Sequence, residues 1–178
     1  MFSFICSSRL VSGSEDIITS IDVDSLLSSM RAESLLPGNV GASLWEGGVT
    51  GSFSRNSKIL ETSGIHEEII KRVLMITDTH YDYKRYSGMK YDYEVWWNYY
   101  SEGKFQEFHS HNVNVLSGIF YLTDSDAATC FCERGNRYSV YPKKGKIVLF
   151  PSWLGHYVQP AKPMEERGTV AFNFNFHR

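Results

Sequence analysis

Three features of this sequence predict a mainly β fold, a double-stranded β-helix (jelly roll) with a packing helix supplied by the N-terminal half. Aromatic residues make up 15% of the chain and fall mostly in alternating runs, the composition of pleated, half-buried surfaces. From Tyr91 onward the apolar period is 2, over eight short segments separated by turn residues. Just before them lies one stretch of helical period. Eight antiparallel strands in about 90 residues close most economically as a jelly roll.

Taken in order, residues 1 to about 60 are rich in Ser and Gly, and Asp24–Leu36 is expected as a short helix ending before Pro37-Gly38. The Gly-rich stretch from Gly38 to Gly51 is expected as a loop or weak hairpin. No Gly-Lys-Ser/Thr follows its glycines, so it is given no phosphate chemistry. From Ser63 to His80, Ile65, Ile69, Ile70, Val73, Leu74 and Ile76 recur at helical spacing, with Ser63 as N-cap and Glu67 and Glu68 in the first turn. This helix is expected to pack on the outside of a sheet.

The strands are expected at Tyr91–Tyr99, Phe105–His111, Leu116–Thr123, Thr129–Glu133, Arg137–Tyr141, Ile147–Phe150, His156–Gln159 and Thr169–His177. Residues 1–178 thus form one domain, with 1–90 as N-terminal support and 91–178 as the jelly-roll core. A chain of this size buries roughly 70% of its unfolded surface, enough for a core without a second domain.

Charge and cysteine usage narrow the partners. Eighteen basic against twenty acidic side chains leave no global basic field, which argues against duplex nucleic acid. Cys6, Cys130 and Cys132 are an odd set, two of them on one strand face. They are expected as free thiols in a reducing cytoplasm. The apolar run Phe2–Cys6 is too short for a signal segment, and no span reaches membrane-helix length, so no membrane association is expected.

The chemistry concentrates at Gln106-Glu107-Phe108-His109-Ser110-His111. Histidines at i and i+2 of a strand share a face with Cα atoms about 6 to 7 Å apart, within reach of one metal ion. His156 comes from a distant strand and Arg167 follows it by eleven positions. Imidazole suits Fe, Zn, Cu and Ni alike, so these ligands alone do not choose the metal.

Six pieces in order then carry a resemblance: Trp97-Asn98, His109-Ser110-His111, Ser117-Gly118-Ile119-Phe120-Tyr121, Phe150 to His156, Arg167-Gly168-Thr169 and Phe172-Asn173. Together they resemble the Fe(II)- and 2-oxoglutarate-dependent oxygenases, over a little under half of the chain. The resemblance implies iron held by His109, His111 and His156, and a 2-oxoglutarate cosubstrate anchored through its far carboxylate by Arg167. Thr169, two residues on, and Tyr121 would add hydroxyl donors. Strand parity turns Ala171, Asn173 and Asn175 to the face of Arg167, and Val170, Phe172, Phe174 and Phe176 to the other. Asn173 is the expected pocket residue nearest the substrate, with Tyr99 and Trp153 as further walls of the substrate pocket.

One position departs from the family pattern: His111 stands where a carboxylate belongs. The available carboxylates are Glu107 and Asp124, and three histidines are preferred. The activity implied is hydroxylation of a C–H bond, with O2 consumed and succinate and CO2 released. The substrate is unidentified, a small molecule or peptide more readily than duplex nucleic acid. The alternative is a cupin-like protein using the same three histidines without 2-oxoglutarate, as a metal dioxygenase or a small-molecule binding module. A metal-free structural jelly roll is the third reading.

Overall fold

The large sheet follows from the longest alternating run in the chain. In this computed structural model, which describes residues 2–6, 10–14, 21–36, 47–52, 57–80 and 82–178, the elements occur in the order β1 (Phe2–Cys6), β2 (Leu10–Ser14), α1 (Val23–Ser34), β3 (Thr50–Gly51) and α2 (Ile65–Thr79). Then come a 3-10 turn (Lys84–Tyr86), β4 (Lys90–Tyr100), β5 (Gln106–His109), β6 (Leu116–Tyr121), β7 (Thr129–Glu133), β8 (Asn136–Val140), β9 (Ile147–Pro151), β10 (Gly155–Val158) and β11 (Arg167–His177).

Two antiparallel sheets result. The larger has the order β1-β2-β9-β6-β11-β4-β3 and the smaller β5-β10-β7-β8. Counting from β4, strands go alternately to one sheet and the other in the jelly-roll manner except for the β7–β8 hairpin, which stays in the smaller sheet, and all eight expected strands are present. β11 is central to the large sheet. It pairs with β4 from Arg167↔Tyr100 to His177↔Lys90, and with β6 from Thr169↔Tyr121 to Phe174↔Leu116.

Parity along these strands makes two cores. Odd positions of β4 and even positions of β11 form an aromatic face that packs under the helices. Trp97, Val170, Phe172 and Phe174 meet Leu26 and Met30 of α1 and Ile65, Ile69, Val73 and Ile76 of α2 there. The second core lies between the sheets, where Ile119, Tyr121, Val148 and Phe150 face Phe131, Val140 and Leu154. Trp97 is fully buried, and its indole N–H donates to Ser57 Oγ at 3.1 Å.

The helices begin as their end residues dictate. Asp22 caps α1 by accepting from Ser25 N at 3.0 Å. For α2 the expected Ser63 cap is displaced by one residue. Gly64 holds the cap position at φ 71°, a conformation glycine adopts without strain, and Ser63 Oγ accepts from Ile65 N at 3.3 Å. Helix α1 is tied to the sheet by Arg31, which pairs with Glu166, and Glu166 also accepts from the Tyr99 hydroxyl at 2.7 Å.

Two features escape the alternation rule. The β1–β2 hairpin joins the large sheet through Val11↔Leu149 and Ser12↔Val148, in a stretch whose Ser and Gly content hides the strands. Of the expected Gly38–Gly51 loop, residues 38–46 lie outside the described residues, while Thr50-Gly51 pair with Tyr99-Asn98. Cys130 and Cys132 are free thiols on β7, and Cys6 lies among residues described by backbone alone. No helix among the described residues is long and apolar enough to cross a membrane.

Packing between β6 and β11 leaves no room at Gly118. A Cβ there would sit 2.2 Å from Phe172 Cζ and 2.8 Å from a Leu149 methyl. Gly118→Ala is expected to destabilise the fold by about 1–3 kcal/mol, the usual cost of overpacking a filled core. Urea denaturation of the variant and the parent checks this, and an unchanged midpoint would contradict the packing described.

Candidate metal and carboxylate site

The site is assembled from the inner faces of both sheets at one end of the barrel. β5 and β10 are paired so that His109 stands opposite His156 and Gln106 opposite Val158, three steps of chain against two. The extra residue is a β-bulge, which turns both Gln106 and His109 inward. It also shifts Glu107 out of the alternation expected for it. The Glu107 carboxylate accepts from Gly47 N and, at 3.3 Å, from Gln106 Nε2.

The expected strand to His111 stops at His109, because β10 begins only at Gly155. His111 is held instead by the β9–β10 turn, where its backbone N–H donates to the Ser152 carbonyl at 2.8 Å. The outcome is a cluster. One nitrogen from each of His109, His111 and His156 lies within 4.8 Å of the others. Neither carboxylate considered as a replacement ligand joins it among the described residues. Glu107 is committed as above, and Asp124 binds Lys143 Nζ and Lys144 N in an exposed turn.

Two of the rings are oriented for coordination. His109 Nδ1 lies 2.7 Å from the Glu107 carbonyl and His156 Nδ1 lies 2.9 Å from the Leu154 carbonyl. A carbonyl only accepts, so Nδ1 carries the proton in both and Nε2 keeps its lone pair. No ring nitrogen of His111 has a hydrogen-bond partner among the described residues. Burial, with His109 adding to it, pushes His156 down to about 3 and His111 to about 4, and burial also lowers His109. Metal ligation needs neutral imidazole, so the site favours the ligand form.

Deeper in the same cavity of about 200 Å³ lies Arg167, 1% exposed. Its Nη2 donates to Thr129 Oγ1 at 2.7 Å, and its guanidinium carbon lies 4.8 Å from the Tyr100 ring centroid and 5.4 Å from that of Tyr121. Its Nε is buried without a partner, and no carboxylate pairs with it among the described residues. Buried guanidinium groups are ordinarily paired with acids. This one has no acid beside it among the described residues.

The other expected site residues divide. Thr169 and Asn173 line the cavity with Arg167. The Tyr121 hydroxyl does not reach it as a donor, because it is spent on Thr129 Oγ1 at 2.9 Å, and Tyr121 stands behind the arginine. Two pocket expectations are corrected. Tyr99 belongs to the odd-numbered face of β4 that packs toward the helices, so the cavity receives Trp96, Asn98 and Tyr100 instead. Trp153 is 47% exposed at the tip of the β9–β10 turn, where the Leu154 N–H to Pro151 carbonyl bond sends Leu154 inward and Trp153 out. Thr129, Tyr100 and Trp96 were not singled out from the sequence. Parity on β4 gives Tyr100 and Trp96 once the helix-facing side is known, whereas nothing in the sequence marks Thr129.

Similarity to known proteins agrees with this geometry. Residues 132–173 match the family described as "Putative 2OG-Fe(II) oxygenase". The match is to the 2OG-Fe(II) oxygenases. It includes the Phe150–His156 and Arg167–Thr169 stretches and leaves His109 and His111 outside it. Among solved structures, a Pseudomonas putida prolyl-4-hydroxylase superposes with TM-score 0.63 at 20% identity, covering 88% of this chain and 86% of its own. The viral collagen prolyl hydroxylase of Paramecium Bursaria Chlorella virus-1, in its 2OG complex, gives 0.60 at 16% identity over 90% and 92%. The 2-oxoglutarate-dependent epimerase SnoN of nogalamycin biosynthesis gives 0.64 at 12% identity over 93% and 77%. These likenesses show that the chain has the same fold as these enzymes. No curated protein matches the sequence significantly.

The family's metal and cosubstrate, Fe(II) and 2-oxoglutarate, are compatible with what this chain presents. Three inward imidazoles, two of them with fixed lone pairs, suit a first-row divalent ion. The unpaired buried arginine suits a carboxylate.

The depressed histidines set a pH dependence. In the unfolded chain imidazole protonates near pH 6.5, whereas in the fold His111 and His156 stay neutral down to about 4 and about 3. Below pH 6.5 the unfolded state binds more protons, so metal-free protein is expected to lose stability as pH falls from 6.5 toward 4, with no change from these groups above 7. Denaturation midpoints across that range test it. His156→Gln should flatten the slope, and a flat profile in the parent would count against neutral buried histidines.

Proposed function

We propose that this protein is an Fe(II)- and 2-oxoglutarate-dependent oxygenase that hydroxylates a C–H bond of a small-molecule or peptide substrate and releases succinate and CO2. The observation that carries the reading is Arg167, buried and without an acid, in the same cavity as the histidine cluster. A cupin-like metal protein would account for the histidines and leave that cation unexplained.

His109, His111 and His156 hold the metal. Bound there with 2-oxoglutarate, Fe(II) supplies the O2-activating redox chemistry that no side chain here can perform. Arg167 receives the far carboxylate of the cosubstrate in charge-assisted hydrogen bonds, and Thr169, whose hydroxyl has no hydrogen-bond partner among the described residues, adds a donor from the same strand face. Tyr121 and Thr129 hold the guanidinium from behind. Burial keeps the Tyr100 and Tyr121 phenols above their usual range, so they remain neutral walls around the anion. Trp96, Ile119, Phe150 and Ala171 line the cavity between the anchor and Asn173 and exclude water from the carbon to be oxidised.

The neighbouring folds include enzymes described as prolyl hydroxylases and one described as an epimerase. Their range leaves the substrate of this chain to be fixed by its own cavity.

Anaerobically Fe(II)-loaded protein is expected to release succinate from 2-oxoglutarate in air. Arg167→Ala should weaken 2-oxoglutarate binding by at least about 10-fold, the loss of one charge-assisted bond, while metal binding persists. Calorimetric titration reads both, and unaltered 2-oxoglutarate affinity in the variant would remove the anchor assignment.

A further inference from the structure

The oxygenase reading leaves the substrate's chemistry open, and one buried amide narrows it. Asn173 lines the cavity and is 2% exposed. Its Oδ1 accepts from Ser117 Oγ at 2.7 Å, and the Ser117 hydroxyl lies 2.8 Å from that of Ser152. Ser117 has one hydrogen, already given to Asn173, so Ser152 donates to Ser117. With Oδ1 as the terminal acceptor, the chain runs Ser152→Ser117→Asn173 and one end of the amide is left over. That end is Nδ2, which has no acceptor among the described residues. Ser152 also holds the His111 backbone through its carbonyl, so the same turn sets both the amide and a metal ligand.

Distance separates this amide from the cosubstrate. Asn173 is six residues from Arg167 on β11, about 20 Å of strand. An arginine reaching about 7 Å and a five-carbon diacid spanning about 6 Å leave several ångströms uncovered. Between them lie Ala171, Ile119 and Trp96, an apolar stretch suited to an aliphatic carbon. The two Nδ2 hydrogens open onto this cavity, where a ligand carbonyl that displaces water can accept them.

We propose that Asn173 determines substrate specificity by donating from Nδ2 to a carbonyl oxygen of an amide- or carboxylate-bearing substrate whose aliphatic carbon lies over Ala171. This rests on the oxygenase reading above. The substrates selected are acyl compounds such as peptides and amino-acid derivatives, and amines or hydrocarbons without a carbonyl are rejected.

The test uses full-length protein loaded with Mn(II) and 2-oxoglutarate without O2, and ligand-observed NMR relaxation. The probes are N-acetyl amino-acid amides, short peptides and dicarboxylates, each paired with an amine analogue lacking the carbonyl. The parent is expected to prefer carbonyl probes by about 10-fold or more, the worth of one well-made hydrogen bond in a dry site. Asn173→Ala should abolish the preference, and Asn173→Asp, which replaces donors with acceptors, should reverse it toward amines. Ser117→Ala, which frees the amide to turn over, should reduce it partially, a result that a merely structural asparagine would not give. Thermal melts confirm that each variant is folded. An unchanged probe ranking in Asn173→Asp overturns the proposal, as does failure of every carbonyl probe to bind a parent that binds Mn(II) and 2-oxoglutarate. A parent that binds neither overturns the oxygenase reading and this inference with it.

Discussion

The two-sided pairing of β11 is the constraint on which the rest of the molecule depends. With β4 along its whole length and β6 along half of it, this strand has no freedom of register. A slip of one residue would send Val170, Phe172 and Phe174 into the cavity and Arg167, Thr169 and Asn173 under the helices. Each face thus guards the other. The aromatic face fixes the register by filling the helix-side core, and the polar face receives a precise spacing of functional groups that loops could not provide.

Electrostatically the cavity is one-sided. Its described lining contains three imidazoles kept neutral by burial, one guanidinium, several hydroxyls and amides, and no carboxylate. A divalent metal would add further positive charge. An interior of this kind is incomplete without anions, because desolvated charge of one sign is costly. In the proposed function, a dianionic cosubstrate would supply the negative charge that the histidine at position 111 does not. Metal and cosubstrate affinity should therefore be more tightly linked here than where a protein carboxylate already neutralises part of the metal's charge.

Much of this was legible in the residues. Period-2 alternation from Tyr91 onward gave the eight strands, and the 3.6-residue period of Ile65 to Ile76 gave α2. The Arg167–Asn173 face followed from parity once the resemblance had turned Arg167 inward. What could not be read has physical causes. The β5 bulge is a register event between two strands that a single strand's pattern does not record, and it redirected Glu107. Which face of β4 meets the helices depends on tertiary packing, and that is why Tyr99 was expected where Tyr100 stands. Trp153 followed the geometry of a tight turn rather than the hydrophobicity of its ring. Thr129 earns its place only by lying across the barrel from Arg167, a relation that separation in sequence conceals.

Glu166 and Arg167 are consecutive and face opposite ways, the first gripped by Arg31 of α1 and the second buried in the cavity. Gly168 follows, where a Cβ would lie 2.5 Å from a Leu27 methyl of the same helix. The N-terminal helix is therefore the backing plate of the segment that carries Arg167, the proposed anion anchor. Although the sequence resemblance begins only at Trp97, the structural support for Arg167 begins in α1, about seventy residues earlier. An isolated barrel cut at β4 would carry every proposed ligand and still lack the support that aims its arginine.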